Sequence, residues 1–188
     1  MPELLLIQMS GCPGAGKSTI AREIAQRKGA VVLDHDILKS ALLEANLSWQ
    51  SAGPTSYRVL QALAQSLLDQ GVSVILDSPC YYQEILDYGL RMAKASGACY
   101  RYIECVTDDL KEIRRRLQSR PPLLSQCVEL GTAPGAPKVE TMSGEELFQE
   151  WIKNMKRPAH SYLKVDTSQP LKECLTKVFS FLDEYDCT

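Results

Sequence analysis

Residues 11–19 read GCPGAGKST and fit the pattern G-x-x-x-x-G-K-[ST]: Gly11, four residues, then Gly16, Lys17 and Ser18. The residue types state a chemistry. Glycines let successive backbone N–H groups turn inward and approach an anion closely. A helix opening after the loop adds its N-terminal partial charge at the same place. Lys17 can reach β- and γ-phosphates, and the Ser18 hydroxyl can ligate Mg²⁺. The loop follows an apolar run and precedes an amphipathic one, which is the setting the motif requires. Gly11, Cys12, Pro13, Gly14, Ala15, Gly16, Lys17, Ser18 and Thr19 are therefore read as the cradle of a nucleoside triphosphate.

Three other stretches carry groups that such a cradle could use. VSVILDSP ends a wholly apolar strand with Asp77. An acid at the carboxyl end of a neighbouring parallel strand opens on the same crevice as the loop. Asp77 there resembles a Walker B aspartate, holding Mg²⁺ with Ser18; its competing role is to cap a helix beginning near Pro79. VVLDHDILK brings Asp34, Asp36 and Lys39 to the end of a second strand. Phosphoryl transfer to a hydroxyl needs a carboxylate to take the proton and a cation near the moving phosphate. Asp36 and Lys39, three apart on one helix face, could be that pair. The alternative is that Asp34 or Asp36 simply caps the helix. DDLKEIRRRLQSRPP carries Arg114, Arg115, Arg116 and Arg120. Arg116 and Arg120, four apart, are expected to stack on one helix face and to offer planar forks to phosphate. Arg114 and Arg115 are read as solvated, and cations in a last turn also suit the helix dipole.

The elements that must position these groups recur in order. Helix, glycine, strand appears three times, as AQRKGAVVLD, LLDQGVSVILD and AKASGACYRYIEC. Gly29, Gly71 and Gly97 stand where a glycine ends a helix. Strand-like runs span 3–9, 30–34, 72–77, 98–104 and 162–166. Helical periods place Ile20, Ile24 and Ala25 on one face, and Leu60, Leu63, Ala64, Leu67 and Leu68 on another. Leu171, Leu175, Val178, Phe179 and Leu182 make a last such face. Strands apolar on both sides, alternating with helices, imply βαβ units and a parallel sheet covered on both faces. Residues 120–144 break the rhythm with four prolines and three glycines. A stretch of that length and composition is either functional or a disordered insertion.

At 188 residues the chain is read as one domain with no internal linker. Hydrophobic residues make 45% and charged residues 23%, which is globular composition. A formal net charge of −2 argues weakly against a dedicated nucleic-acid binder. Seven scattered cysteines without a C-x-x-C pair, and only two histidines, His35 and His160, speak against a zinc site or a disulfide framework. A reducing, cytoplasmic setting is expected. MPELLLIQMSG is read as a buried strand and not as a signal peptide. No run is long and apolar enough for a membrane span, and no segment asks for an obligate protein partner.

With the glycine loop, LDHDILK, VILDSP, RLQSRPP and YLKVDTSQPL in this order, the chain resembles a P-loop kinase. It is similar to the small ATP-dependent group that includes polynucleotide 5′-hydroxyl kinases, gluconate kinases and chloramphenicol phosphotransferases. The resemblance implies a three-layer α/β/α P-loop NTPase fold with a mostly parallel five-stranded sheet and a lid segment at about 116–144. It implies ATP and Mg²⁺ as phosphoryl donor, and a general base that falls on Asp36. The basic residue one turn on, often arginine in that group, is Lys39 here. The arginine-bearing lid maps onto Arg116, Arg120 and the following loop, closing over ATP to exclude water.

The acceptor is read from Ser40 to Leu60 and from SPCYYQE. The first segment carries one cation, Arg58, and one acid, Glu44, with Trp49 and Tyr57; the second adds Tyr81 and Tyr82. A polynucleotide would want several cations along its phosphates. A small, fairly neutral hydroxyl compound against aromatic surface is the better match, although aromatics also stack the bases of a nucleic-acid end or simply pack in the core. Among rival readings, a GTPase switch lacks an N-K-x-D motif, and a nucleoside monophosphate kinase would need more arginines on the acceptor side. A non-catalytic ATP-binding module remains the alternative from another class.

Overall fold

The computed structural model describes residues 3–121, 123–137, 143–159 and 162–184. Five strands, β1 (Leu5–Ser10), β2 (Val31–Asp34), β3 (Val74–Asp77), β4 (Cys99–Val106) and β5 (Leu163–Asp166), alternate with helices. The helices are α1 (Lys17–Lys28), α2 (His35–Glu44), α3 (Trp49–Asp69), α4 (Gln83–Ser96), α5 (Leu110–Gln118), α6 (Gly144–Lys153) and α7 (Leu171–Asp183). All sheet pairings are parallel, in the order β2-β3-β1-β4-β5.

Side-chain alternation along each strand separates two cores. Ile7, Met9 and Ile75 face a layer containing Ile20 and Ile24 of α1 and Val178 and Leu182 of α7. Leu6, Val74 and Leu76 face the opposite layer, against Leu60, Ala64 and Leu68 of α3 and Met92 and Ala93 of α4. The expected three-layer α/β/α P-loop kinase-like fold is therefore the observed one. The leucine-rich N-terminal run is β1, buried along its whole length. Among the described residues no helix is long and apolar enough to cross a membrane.

The order places the site. The chain passes from β3 on one side of β1 to β4 on the other, so β1 marks the point where the strand order reverses. A crevice opens at the carboxyl ends of strands at such a point. The loop after β1, Asp34 after β2 and Asp77 at the end of β3 all reach it.

Two expectations are corrected. Arg116 and Arg120 do not share a helix face, because α5 ends at Gln118 with Ser119 as its cap. Arg120 precedes Pro121, and a residue before proline is pushed out of the helical region. Arg114 is not simply solvated: it donates to Glu129 at 3.2 Å and to Glu145 at 2.9 Å. Arg115 is 68% exposed but still pairs with Glu112 at 2.7 Å.

Residues 120–144 are expected to be either functional, as a lid, or a disordered insertion. Residues 122 and 138–142 of this stretch, within the expected lid, lie outside the described residues. Of those described, Cys127 and Leu130 join the core that contains α1. Val128 N–H donates to Thr132 O at 2.9 Å, and Gly135 N–H to Leu124 O at 2.8 Å. A capping box between Ser143 and Glu146 starts α6. Beyond α6, the guanidinium of Arg157 binds both oxygens of Glu104, at 2.6 and 2.7 Å, and ties this region to β4.

Candidate functional site

A cavity of about 1270 Å³ lies at the carboxyl ends of the strands. Gly14, Gly16, Lys17, Ser18 and Thr19 form one wall. Gly11, Cys12 and Ala15 are buried and support the loop from behind. Gly11 has φ 127°, and a Cβ there would stand 2.2 Å from the Cys105 carbonyl oxygen, so only glycine lets the loop lie against β4. Gly16 precedes α1 and no side chain caps that helix, which leaves its first N–H groups to an anion. Lys17 Nζ donates to Gly11 O at 2.9 Å and Cys12 O at 3.1 Å, holding its charge at the loop.

The acids divide the roles left open by sequence. Asp34 and Asp77 are register neighbours on β2 and β3. Asp34 is the cap of α2, accepting from Asp36 N–H at 2.8 Å and Ile37 N–H at 3.3 Å. Burial, then the charges of Asp77 and Asp36, push the Asp34 carboxyl above its ordinary range against those two bonds. Asp36 is thereby left free of capping. Asp77 caps nothing either, since α4 begins only at Gln83 after Tyr82. Asp77 is 4% exposed, and its Oδ2 is buried without a hydrogen-bond partner.

An orphaned carboxylate oxygen in a buried position fits a cation. No group of three or more His, Cys, Asp or Glu among the described residues could hold a metal unaided. Mg²⁺ suits such a place, because it is commonly held by one or two carboxylates plus phosphate oxygens and water.

Asp36 is tied to the loop after α5. Ser125 Oγ lies 3.0 Å from Asp36 O and 3.3 Å from Asp36 Oδ1, and Ser125 N–H donates to Ser40 Oγ at 3.1 Å. Burial alone would raise the Asp36 carboxyl. The neighbouring His35 and the charges of Lys17 and Arg120 outweigh it and hold the group below its ordinary range. Lys39 Nζ sits 3.4 Å from the ring centroid of Trp49, a cation–π contact. Burial lowers the Lys39 ammonium, and the Asp36 charge opposes that shift.

The two arginines differ. Arg116 is a strut: it donates to Glu112 Oε1 at 2.8 Å, Gly14 O at 3.3 Å, Thr167 Oγ1 at 3.1 Å and Thr167 O at 2.8 Å. Thr167 Oγ1 also lies 2.9 Å from Ala15 O, so the turn after β5 braces the glycine loop. Among the described residues Arg120 bonds only Cys127 O, at 3.3 Å, and its Nε is buried without a partner there.

The cavity thus gathers Asp36, Lys39, Asp77, Arg116 and Arg120 with the loop. Trp49, Tyr57, Tyr81, Tyr82 and Trp151 give its lining an aromatic part; Arg58 and Glu44 do not line it. The Tyr81 hydroxyl is buried without a partner. Sequence reasoning missed Ser125, Thr167, His35 and Trp151. The capping box Ser143-x-x-Glu146 was a readable signal for α6, which bears Trp151. Ser125 and Thr167 carried no signal, since both act on residues far away in the chain.

These features define a P-loop kinase-like fold with its phosphate cradle intact. A family model described as AAA domain matches residues 6–123, more than half of the chain, and the chain belongs to that family, AAA_33. A search of curated proteins found no match. Among solved structures, a putative kinase from Chloroflexus aurantiacus J-10-fl is 19% identical, with a TM-score of 0.69 over 96% of this chain and 99% of that one. The APS kinase of Mycobacterium tuberculosis, in complex with AMPPNP and APS, is 20% identical, with a TM-score of 0.64 over 98% and 100%. A gluconokinase from Sinorhizobium meliloti 1021 is 18% identical, with a TM-score of 0.59 over 96% and 91%. At these identities the likeness is one of fold.

Proposed function

We propose that the chain transfers the γ-phosphate of ATP to a hydroxyl group of a small molecule. One observation carries the reading: a single cavity holds the glycine loop, the uncapped carboxylate of Asp36 and the orphaned oxygen of Asp77. Residues 11–19 hold the triphosphate with the open N–H groups of α1, and Lys17 turns from its loop carbonyls to phosphate oxygens. Ser18 and Asp77 would hold Mg²⁺, which when bound neutralises charge on the β- and γ-phosphates. Asp36 takes the proton of the acceptor hydroxyl as the acceptor oxygen bonds to the γ-phosphorus and ADP departs. Lys39 and Arg120 stabilise the charge on the transferring group. Arg116 braces the loop, and reaches phosphate only by leaving Thr167. Residues 116–144 act as a lid over ATP, keeping water from the phosphate.

The acceptor end favours a small, largely uncharged hydroxyl compound. Its aromatic lining suits apolar and stacking contacts, and Lys39 packs on one of those rings, that of Trp49. The gluconokinase among the solved structures accords with a small-molecule acceptor.

Transfer of label from γ-³²P-ATP, run against small hydroxyl compounds and 5′-hydroxyl oligonucleotides, tests the reading. Labelled small-molecule product is expected. Label appearing only on oligonucleotides would replace the acceptor class. ATP binding with no product across the whole panel would point to a non-catalytic module.

A further inference from the structure

We infer that His35 is a positioning residue for the base: the hydroxyl proton taken by Asp36 comes to rest on Nδ1 of His35, and the two side chains act as one proton-accepting pair. The inference rests on the phosphoryl-transfer reading above and deepens it.

A count of hydrogens fixes the ring. The His35 side chain is 8% exposed. Its Nε2 lies 2.9 Å from Ser56 Oγ, and Ser56 Oγ lies 2.7 Å from Gly53 O. A hydroxyl has one hydrogen and a carbonyl can only accept, so Ser56 donates to Gly53 and accepts from His35. Nε2 therefore carries the hydrogen of the neutral imidazole, and Nδ1 is a bare lone pair. Tyr57, stacked on the ring at 4.1 Å and 28°, fixes its plane.

Nδ1 is buried without a hydrogen-bond partner and stands 3.8 Å from Asp36 Oδ1. Two acceptors held face to face in a buried site are unfavourable, and one proton between them removes the conflict. The Asp36 side chain, 36% exposed and held by Ser125 at 3.3 Å, must turn towards the ring for a proton to pass.

Beside His35, Asp36 is a poor resting place for a proton: against burial, that ring and the charges of Lys17 and Arg120 hold its carboxyl below its ordinary range. An ordinary imidazole binds protons about two pH units more tightly than a carboxylate. The step balances. The acceptor O–H bond breaks and its electron pair forms the new O–P bond. The bond from the γ-phosphorus to the bridging oxygen breaks, leaving its pair on ADP. The proton passes through Asp36 to Nδ1, giving an imidazolium beside a carboxylate.

The groups around the pair are Asp34 and Lys39 on α2, Ser56 and Tyr57 on α3, Lys17 on α1, and Arg120, Ser125 and Cys127 after α5. Burial pushes the Tyr57 phenol and the Cys127 thiol upward, so both stay neutral near pH 7. A His35 already protonated from solvent can accept no further proton and holds Asp36 in an ion pair. Turnover then falls once the pair has taken a proton from solvent.

The test variant is His35→Gln, which keeps an N–H donor for Ser56 and removes the titrating nitrogen. It is expected to lower kcat about ten-fold near neutral pH with the acceptor KM unchanged. The acidic limb of the rate profile should move to lower pH. The ionisation of ATP is common to both proteins. An unchanged kcat and limb would overturn the inference.

Imidazole ¹⁵N NMR of the whole protein, with His160→Gln for assignment, needs no turnover. It should show the Nε2–H tautomer, and Asp36→Asn should shift the His35 Nδ1 resonance. An Nδ1–H tautomer, or an Nδ1 resonance that ignores Asp36→Asn, would overturn the pairing. Should no acceptor be phosphorylated, the proposed function falls, and the NMR result still decides whether the pair exists.

Discussion

Lys17 holds Gly11 O and Cys12 O in the same pose that aims its charge at the cradle. Lys17→Ala should therefore weaken ATP binding and lower kcat by about 10²-fold or more; calorimetric titration and steady-state kinetics would measure both. The buried thiols make a separate pH prediction. Burial pushes Cys80 and Cys127 up to about 11 and Cys105 up to about 12. Between the unfolded thiol range, about 8.5, and these values, the folded state binds more protons than the unfolded state. Stability must then fall as pH rises through that window, and melting temperatures of the reduced protein should drop steadily from pH 8 to pH 11. At this scale much was legible. The cradle, Asp36, Lys39 and Asp77 stand in short runs whose spacing encodes their chemistry. The assignment of the cap to Asp34 needed backbone geometry. The roles of Ser125, Thr167 and His35 depend on partners that only folding brings near.

Arg116 shows what an element-level contact does. From α5 it joins Gly14 of the glycine loop to Thr167 after β5, with Glu112 steering its guanidinium. A lysine keeps the charge but cannot fork between these acceptors. Arg116→Lys should cost about 1–3 kcal/mol of stability and loosen ATP binding, read by thermal melts with and without nucleotide. The helices themselves were largely legible, because each buries a regular stripe on the sheet. Gly29 and Gly97 cap α1 and α4, and Gly71 follows the cap of α3, as their positions suggest. The end of α5 was misread although the signal was present, since the residue before Pro121 disfavours the helical region. Within 120–144, proline and glycine content masked a segment whose Cys127, Leu130 and Ala133 are buried.

The whole molecule depends on pairings that no local pattern records. Five parallel strands follow from the alternation of apolar runs and helices, but the order β2-β3-β1-β4-β5 does not. It is set by which strand faces mate between the two helical layers. The bond between Glu104 and Arg157 is a long-range tie of the same kind, with Glu104 only 3% exposed. Removing Arg157 strands a buried carboxylate, so Arg157→Ala should destabilise the protein by about 3 kcal/mol, seen in urea unfolding. Because this tie anchors the chain beyond α6, the variant should also raise the acceptor KM through Trp151.

The most direct test of phosphoryl transfer with Asp36 as base compares wild type and Asp36→Asn for ATP binding and for label transfer to the acceptor found in the panel. The account predicts unchanged melting temperature and ATP affinity, with transfer reduced by about 10²-fold or more. An Asn variant that transfers phosphate at the wild-type rate would contradict it.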